Sequence, residues 1–372
     1  MVVLYSCAFN TKRGGGPHTH VQGIYNSEVL KPFLKLIIPG NNNINTFYKD
    51  NNRILIGPNT GIWILNLLLF ELFASFQLFK EKFYYKNTTI LYYRPHYTTL
   101  LQPIIARILR IKVIKEINGI SELETNIKLL KYISRYLEKF YSKIADKNIA
   151  VSKGIADYYV NKYNINRNKL VVIPNGIDKN IIQNTSKSNL CKNDTIKLVF
   201  VGHLAKWQGV YEFIVASHSL LKKYNIDFYV VGNGDQQHNI ELFIKNNSIN
   251  NIKIMGWVSH AESIEIIKNS HVGFLCRPGD ENMPLGSPLK LFEFIGLGKA
   301  ILATNVDGIG NLEKISSNFY YISYNDSNSI EEVFKKWRSN PSKILESGAV
   351  NFEICKNEYT WDQTCKKIFD LI

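Results

Sequence analysis

Short apolar runs alternate with longer stretches of helical period along the whole chain. In the first half VVLYSCAF, LKLIIPG, RILIG, TILYYR, IKVIKEIN and KNIAVS read as strands, and residues 21–30, 62–79, 101–109 and 126–143 as helices. The second half repeats the pattern. TIKLVFVG, DFYVVGNG, NIKIMGWV, VGFLCRP and AILAT are strand-like, and residues 210–222, 261–269, the stretch after Ser287 and the stretch from Ile330 are helix-like. Strands that alternate with helices predict parallel sheets in a doubly wound α/β architecture. Residues 184–195, NTSKSNLCKNDT, are polar and aperiodic, and form the candidate linker between two such units.

A chain of 372 residues exceeds the size at which one core usually keeps growing, so two domains are expected. Residues 61–79 are apolar enough to pass for a membrane span by length. Asn66, Glu71, Ser75 and Gln77 interrupt them, which favours a buried or membrane-grazing helix. MVVLYSCAFN lacks the cationic start and length of a signal peptide and reads as a first buried strand. The five cysteines are scattered, without CxxC or Cys/His ligand spacing. Neither a disulfide framework nor a zinc site is indicated, and a cytoplasmic location fits.

The formal net charge of +14 calls for an acidic partner: nucleic acid, an anionic membrane or a phosphorylated substrate. Nucleic acid is disfavoured, because no RRM, KH, helix-turn-helix or OB signature is found. Residues 126–144 place Lys128, Lys131, Arg135, Lys139 and Lys143 on one helical stripe, with Leu130, Ile133, Leu137, Phe140 and Ile144 predicted on the other side. A basic face rimmed by Tyr132 and Tyr136 suits an anionic membrane surface, whereas an ordinary surface helix would turn its apolar stripe to the core.

The most informative stretch is SPLKLFEFIGLGKA, residues 287–300. A Pro-containing loop enters an apolar helix whose first turn offers unpaired N–H groups and partial positive charge, with Lys290 adding a cation. Glu293, about one turn on, is placed to accept hydrogen bonds from a pair of sugar hydroxyls. Together these describe a nucleotide-sugar site, although solvated Lys and Glu on an ordinary amphipathic helix fit the same spacing. RGGGPHTH, residues 13–20, follows the first strand with glycines that allow close approach of a phosphate; His18 and His20 read as loop surface residues. FYVVGNGDQQ lacks the third glycine of a dinucleotide fingerprint. Glu116 and Asn118 end a strand where ligands meet parallel sheets.

The wording SPLKLFE followed by GLGKAILAT resembles the donor-site signature of the family 4 (group 1) retaining glycosyltransferases, closest to the SPLKLFEYMA branch. The resemblance covers most of the chain and is densest over residues 152–308. It implies a GT-B fold: two Rossmann-like doubly wound domains facing across a cleft. On that basis residues 1–183 form the acceptor-side domain, 184–350 the nucleotide-sugar-binding domain, and 351–372 a helical tail crossing back to the first. It also implies that Gly15 and Gly16 meet the donor diphosphate, and that Gly202, His203, Gly232, Trp257, Val258, Ser287, Pro288, Leu289 and Glu293 bind the donor, Glu293 through its ribose. Lys206 and Lys290 would stabilise the departing diphosphate; Glu116 and Asn118, in an EVN-x-P-like turn, complete the catalytic set. Asn175, in the VVIPNGID passage, is read as architectural, and Arg94 and His96 match that branch's ERY segment.

Several positions depart from the wider family. His203 and Gln208 replace its Arg and Lys, and Leu285 stands where it has the first of two glutamates, with Glu281 off register. The implied activity is retaining, metal-independent transfer of a sugar from a nucleotide diphosphate sugar to a lipid-linked saccharide acceptor in cell-surface polysaccharide synthesis, with no cofactor, at the inner face of the cytoplasmic membrane. A sugar-nucleotide 2-epimerase on the same architecture, or a basic nucleic-acid-binding protein, are the alternatives.

Overall fold

A computed structural model describes residues 1–9, 15–41, 52–85, 88–95, 99–125, 127–182, 190–278, 286–306, 312 and 315–372. The chain divides into two units. The first comprises Met1–Gly176, Pro284–Ser287 and Trp361–Ile372; the second comprises Ile177–Met283 and Pro288–Thr360. Of the polar stretch expected to part them, residues 184–189 lie outside the described residues and residues 190–195 belong to the second unit. Polarity marks exposure of a segment, whereas the division follows where the chain changes its packing partners.

The first unit begins β1 (Val2–Cys7), α1 (Gly16–Asn26), β2 (Leu34–Ile38), β3 (Ile54–Ile56) and α2 (Trp63–Tyr85). It continues with β4 (Thr89–Arg94), α3 (Leu101–Ile108), β5 (Lys112–Ile117), a short α4 (Ser121–Glu124) and α5 (Lys128–Ile144). β6 (Lys147–Ala150), α6 (Lys153–Tyr163) and β7 (Leu170–Val172) complete its sheet, which is seven-stranded in the order β3-β2-β1-β4-β5-β6-β7. Each pairing is parallel, and β1 pairs β4 from Val2 with Thr89 to Cys7 with Arg94. The order reverses at β1, which opens a crevice at the carboxyl ends of β1 and β4, the place where doubly wound sheets bind ligands.

On one side of this sheet Val2, Leu4, Ile37, Leu91, Tyr93 and Val113 pack against Leu67, Phe70, Ala74 and Leu78 of α2, together with Ala106 and Ala145. α1 starts at Gly16 rather than near Val21, because Pro17 suits a first helical turn whose N–H groups have no intrahelical acceptor. α6 is bounded by local chemistry: the Ser152 hydroxyl accepts from the Ile155 N–H at its start, and Asn164 ends it with φ of 53°.

The second unit repeats the scheme with β8 (Ile196–Val201), α7 (Val210–Lys223), β9 (Ile226–Val231), α8 (Gln237–Asn246), β10 (Ile252–Gly256), α9 (His260–Lys268) and β11 (Val272–Leu275). α10 (Leu289–Gly296), β12 (Ala300–Ala303), β13 (Tyr320–Tyr321), α11 (Ser327–Ser339) and α12 (Ser342–Glu358) follow. Its six-stranded parallel sheet has the order β10-β9-β8-β11-β12-β13, reversing at β8. Strands buried on both faces explain the near-continuous apolar runs. Leu198 and Phe200 face Phe213 and Trp337, while Val199 between them joins the opposite core with Leu291 and Ile295.

The chain then re-enters the first unit as α13 (Trp361–Phe369). α12, which includes residues 351–358, belongs to the second unit, so the tail of the first unit is shorter than the sequence reading drew it. α13 packs on α1 through Trp361, whose indole fills the space beside Gly23 and meets the His20 ring edge-on at 5.1 Å. Asp362 accepts from the Ser27 hydroxyl and the Glu28 N–H, both at 2.9 Å. A methyl group at Gly23 would lie 2.1 Å from the indole. Gly23→Ala is therefore expected to cost about 1–3 kcal/mol, read as a lower thermal or urea midpoint. Combining it with Trp361→Leu should recover part of that loss, and an unchanged midpoint for Gly23→Ala would contradict the packing.

Candidate functional site

In the first unit the site is built on the end of β5. Alternation places Lys115 and Glu116 on opposite faces of the strand, and both are buried. Lys115 is met by the Ser142 hydroxyl at 2.7 Å and the Glu138 carbonyl at 3.2 Å. Burial draws its ammonium down to about 8, with Glu138 opposing. Glu116 is 1% exposed. The Tyr5 hydroxyl donates to its Oε2 at 3.0 Å, the Asn118 amide donates to Oε1, and His20 Nε2 lies 2.5 Å from Oε1. Burial alone would raise this carboxyl; facing His20, then Arg94 and the Asn118 amide, outweigh it and hold it at about 2.

Two expectations change here. His20 is a buried residue of α1, not a loop surface residue, because starting the helix at Gly16 turns it inward. Glu116, read as facing ligands at the strand end, is enclosed by Tyr5, Asn118 and His20. His20 Nδ1 lies 2.8 Å from Asn175 Oδ1, and the Asn175 amide donates to the Ser287 carbonyl at 2.7 Å. With the amide fixed that way, both ring nitrogens of His20 face oxygen atoms, Asn175 Oδ1 and Glu116 Oε1. The Ser287 hydroxyl, in turn, accepts from the Asn175 N–H at 3.2 Å. Asn175 is thus the link from Glu116 and His20 to the residue that opens the SPLKLFE stretch. Gly15, with φ of 103°, precedes α1, and Gly15 and Gly16 are exposed at its start. His96 lies outside the described residues, as do Leu285 and Glu281.

The second unit's site sits at its own sheet reversal, between β8 and β11. Gly202 ends β8 with φ of 146°, and Gly232 ends β9 with φ of 123°; a Cβ on Gly232 would lie 2.0 Å from the Gly202 carbonyl. Only glycine permits this approach. α10 enters after Pro288 with no side-chain cap, leaving its first N–H groups for a ligand. The Lys290 ammonium lies 4.1 Å from the Phe200 ring centroid and donates to Gln208 Oε1 at 3.1 Å. Burial, and then neighbouring Arg277, pull it down to about 7. Arg277, at the end of β11, stacks on Trp207 at 4.7 Å and is itself lowered by burial to about 10. Two partly buried cations thus lie near each other, with an amide and aromatic rings in contact and with Glu293 and Cys276 opposing the loss of charge on Lys290, an arrangement that suits an anion.

Lys206 is exposed, and Gln208 of the same turn is the residue that reaches Lys290. His203 is exposed and lies 4.0 Å from Asp235, too far for a hydrogen bond. Trp257 is 75% exposed beside Gly256, so it is not a packed core residue, and Val258 lines the apolar core beneath. Glu293, on α10, is met by His260 Nε2 at 2.8 Å, and this bond raises the His260 pKa. His260 opens α9, positioned by the Ser259–Glu262 capping box. Sequence reasoning missed Arg277, His260 and the role of His20. Arg277 alone carried a signal, as a cation at the carboxyl end of a strand. Leu289 is the first residue of α10.

Comparison with known proteins identifies the family and the fold. The family described as Glycosyltransferase Family 4 matches residues 50–180, and the family described as Glycosyl transferases group 1 matches residues 181–348. An uncharacterized glycosyltransferase of Methanocaldococcus jannaschii, MJ1069, is 27% identical over 259 residues, 67% of this chain and 64% of that protein. The match thus spans less than two thirds of that relative's length. Anabaena HepE, solved with UDP and glucose, superposes with a TM-score of 0.74 at 14% identity, over 100% of this chain and 99% of HepE. A glycosyltransferase from Rickettsia africae gives 0.73 at 17% identity, over 100% and 97%. At such identities the likeness concerns the fold, which is GT-B, two parallel-sheet α/β domains. The chain belongs to the group 1 glycosyltransferases of family 4.

Proposed function

We propose that the protein transfers a sugar, with retention of configuration, from a nucleotide diphosphate sugar to a lipid-linked saccharide in cell-surface polysaccharide synthesis. The observation that carries the donor half is the Lys290 and Arg277 pair at the uncapped start of α10. A diphosphate placed there meets two cations and free N–H groups, which stabilise the charge that develops as the sugar departs. HepE, of the same fold, was solved with UDP and glucose, which supports a nucleotide-sugar donor. Exposed Trp257 offers a face for the base, and Glu293 with His260 offers an acceptor and a donor for ribose hydroxyls. Because protein cations serve the leaving group, we read the reaction as metal-independent and without a cofactor. Glu116, His20 and Asn175 act as positioning residues. The lipid-linked acceptor puts the enzyme at the inner face of the cytoplasmic membrane.

The direct test is mass spectrometry of the purified protein with a panel of nucleotide sugars and lipid-linked acceptors. Transfer supports the reading, acceptor-independent epimerisation favours the alternative, and no turnover of any donor contradicts both.

Three further outcomes follow from the site. Burial and Arg277 hold the Lys290 ammonium at about 7, and a bound diphosphate would favour its charged form. Nucleoside diphosphate affinity should therefore fall as pH rises through about 7 to 9, with proton uptake visible in calorimetry across buffers. Lys290→Gln should weaken binding by about 1.5–3 kcal/mol and flatten the pH dependence, and a pH-independent wild type would refute this. Glu293→Ala should raise donor KM about tenfold or more with a smaller change for His260→Ala; unchanged kinetics would remove the ribose role. Glu116 is held below its unfolded value, so its stabilisation is full above about pH 4.3 and is lost as pH falls toward about 2. Glu116→Gln should destabilise the protein at neutral pH, and its unfolding midpoint should converge with that of the wild type in acid; parallel pH profiles would contradict the pairing.

A further inference from the structure

Three helices on one side of the first unit's sheet are amphipathic in the inverted sense. Of the nine buried residues of α2, five are polar: Asn66, Glu71, Ser75, Gln77 and Glu81. Its exposed stripe is apolar: Ile64, Leu68, Leu72, Phe76, Phe79 and Phe83. These recur every third or fourth residue, so they form one continuous face. α3 buries Gln102 while exposing Leu101, Ile104 and Ile108. α5 contradicts the predicted orientation outright. Ser134, Glu138, Tyr141 and Ser142 face inward, while Leu129, Leu130, Ile133 and Phe140 are exposed with Tyr132 and Tyr136.

The inward carboxylates and the Asn66 amide have partners, whereas the Ser75 and Ser134 hydroxyls, Glu81 Oε2 and Gln102 Oε1 are buried without a hydrogen bond among the described residues. Glu71 accepts from the N–H groups of Leu100 and Leu101 at 3.0 Å and from the Gln102 amide at 2.6 Å, so it caps α3. Glu138 accepts from Ser121 and Tyr163, and the Asn66 amide donates to the Gly40 carbonyl. The Tyr141 hydroxyl donates to the Leu100 carbonyl at 2.8 Å, so the three helices are tied together at one point. α2, Ala106 of α3 and Ala145 after α5 share one core on the same side of the sheet. Their outward faces therefore lie on that side as a single apolar surface.

Charge selects what covers it. All three acidic residues on these helices, Glu71, Glu81 and Glu138, are buried, whereas Lys80, Lys82, Arg107, Lys128, Lys131, Arg135, Lys139 and Lys143 are all at least partly exposed. An apolar face whose own helices expose cations and no carboxylate among the described residues, with aromatic rings between, matches the headgroup and acyl boundary of an anionic bilayer, although Arg107 is paired with Asp146 at 2.7 Å. We infer that the α2, α3 and α5 face is immersed in one leaflet of an anionic membrane, α2 lying in its plane rather than crossing it. α2 is long enough to span, but its inner half is committed to Glu71, Asn66 and Glu81 bonds inside the protein. Arg135 is also paired with Glu122 at 2.6 Å, so the other cations of α5 carry the headgroup contact.

The inference deepens the proposed function by placing the enzyme where a lipid-linked acceptor resides, and it rests on that reading for its purpose. It is tested separately, by flotation of the full chain with vesicles of phosphatidylcholine alone or mixed with phosphatidylglycerol. Wild type should float with the anionic vesicles. Leu72→Glu combined with Phe76→Glu should lose at least tenfold in vesicle affinity while keeping its melting temperature and its turnover of soluble nucleotide sugar. Lys128→Gln with Lys139→Gln should reduce the preference for anionic over neutral vesicles. Equal flotation of the Leu72/Phe76 variant, or no flotation of wild type, overturns the inference. A wild-type dimer that this variant converts to monomer, with no vesicle binding, assigns the face to a second copy and overturns it too. Vesicle binding without turnover of any donor would instead sink the glycosyl-transfer reading.

Discussion

A charge removed from water must be met by something, and the placement of nearly every functional group in this protein follows from how that demand is answered. Glu116 is answered by His20, Asn118 and Tyr5, and Glu71 by the first N–H groups of α3. Lys115 is answered by Ser142 and the Glu138 carbonyl. Lys290 and Arg277 are different. Their contacting groups are an amide and aromatic rings, and burial lowers both cations, although Glu293 and Cys276 oppose this at Lys290. The proposed diphosphate would complete that arrangement, with the start of α10 supplying the rest of its coordination.

The same demand shapes the surface. Turning Asn66, Glu71, Glu81 and Glu138 inward, where backbone and side-chain partners meet them, Glu81 through Lys35 at one oxygen, leaves the outer faces of three helices to leucine, isoleucine and aromatic residues. In water such a surface is unfavourable. Against lipid it is the favourable face, and the inward polar residues become the ones that hold the helices on the sheet. Stability and the proposed membrane contact are thereby assigned to opposite faces of the same elements.

Much of this was legible in the sequence, and the residues show why the rest was not. IKLVFV and VVLYSC are apolar at successive positions because parallel strands bury both faces, so strand positions and the doubly wound class could be read directly. The α10 stretch was legible because helix entry, Lys290 and Glu293 are adjacent in the chain. Periodicity located α5 and α2 but could not say which stripe faces the core; on α5 the apolar stripe was set opposite the basic one, and the structure instead buries Ser134, Glu138, Tyr141 and Ser142. His20 with Glu116, Lys290 with Arg277 and His260 with Glu293 meet only through the sheet topology, so no local pattern announces them.

The most direct measurement is a crystal structure of the protein with a nucleoside diphosphate bound. The account predicts the β-phosphate within hydrogen-bond distance of the Lys290 ammonium and the N–H groups of Leu289 and Lys290, with Arg277 beside it. A diphosphate bound elsewhere, with Lys290 still held by Gln208 alone, would contradict it.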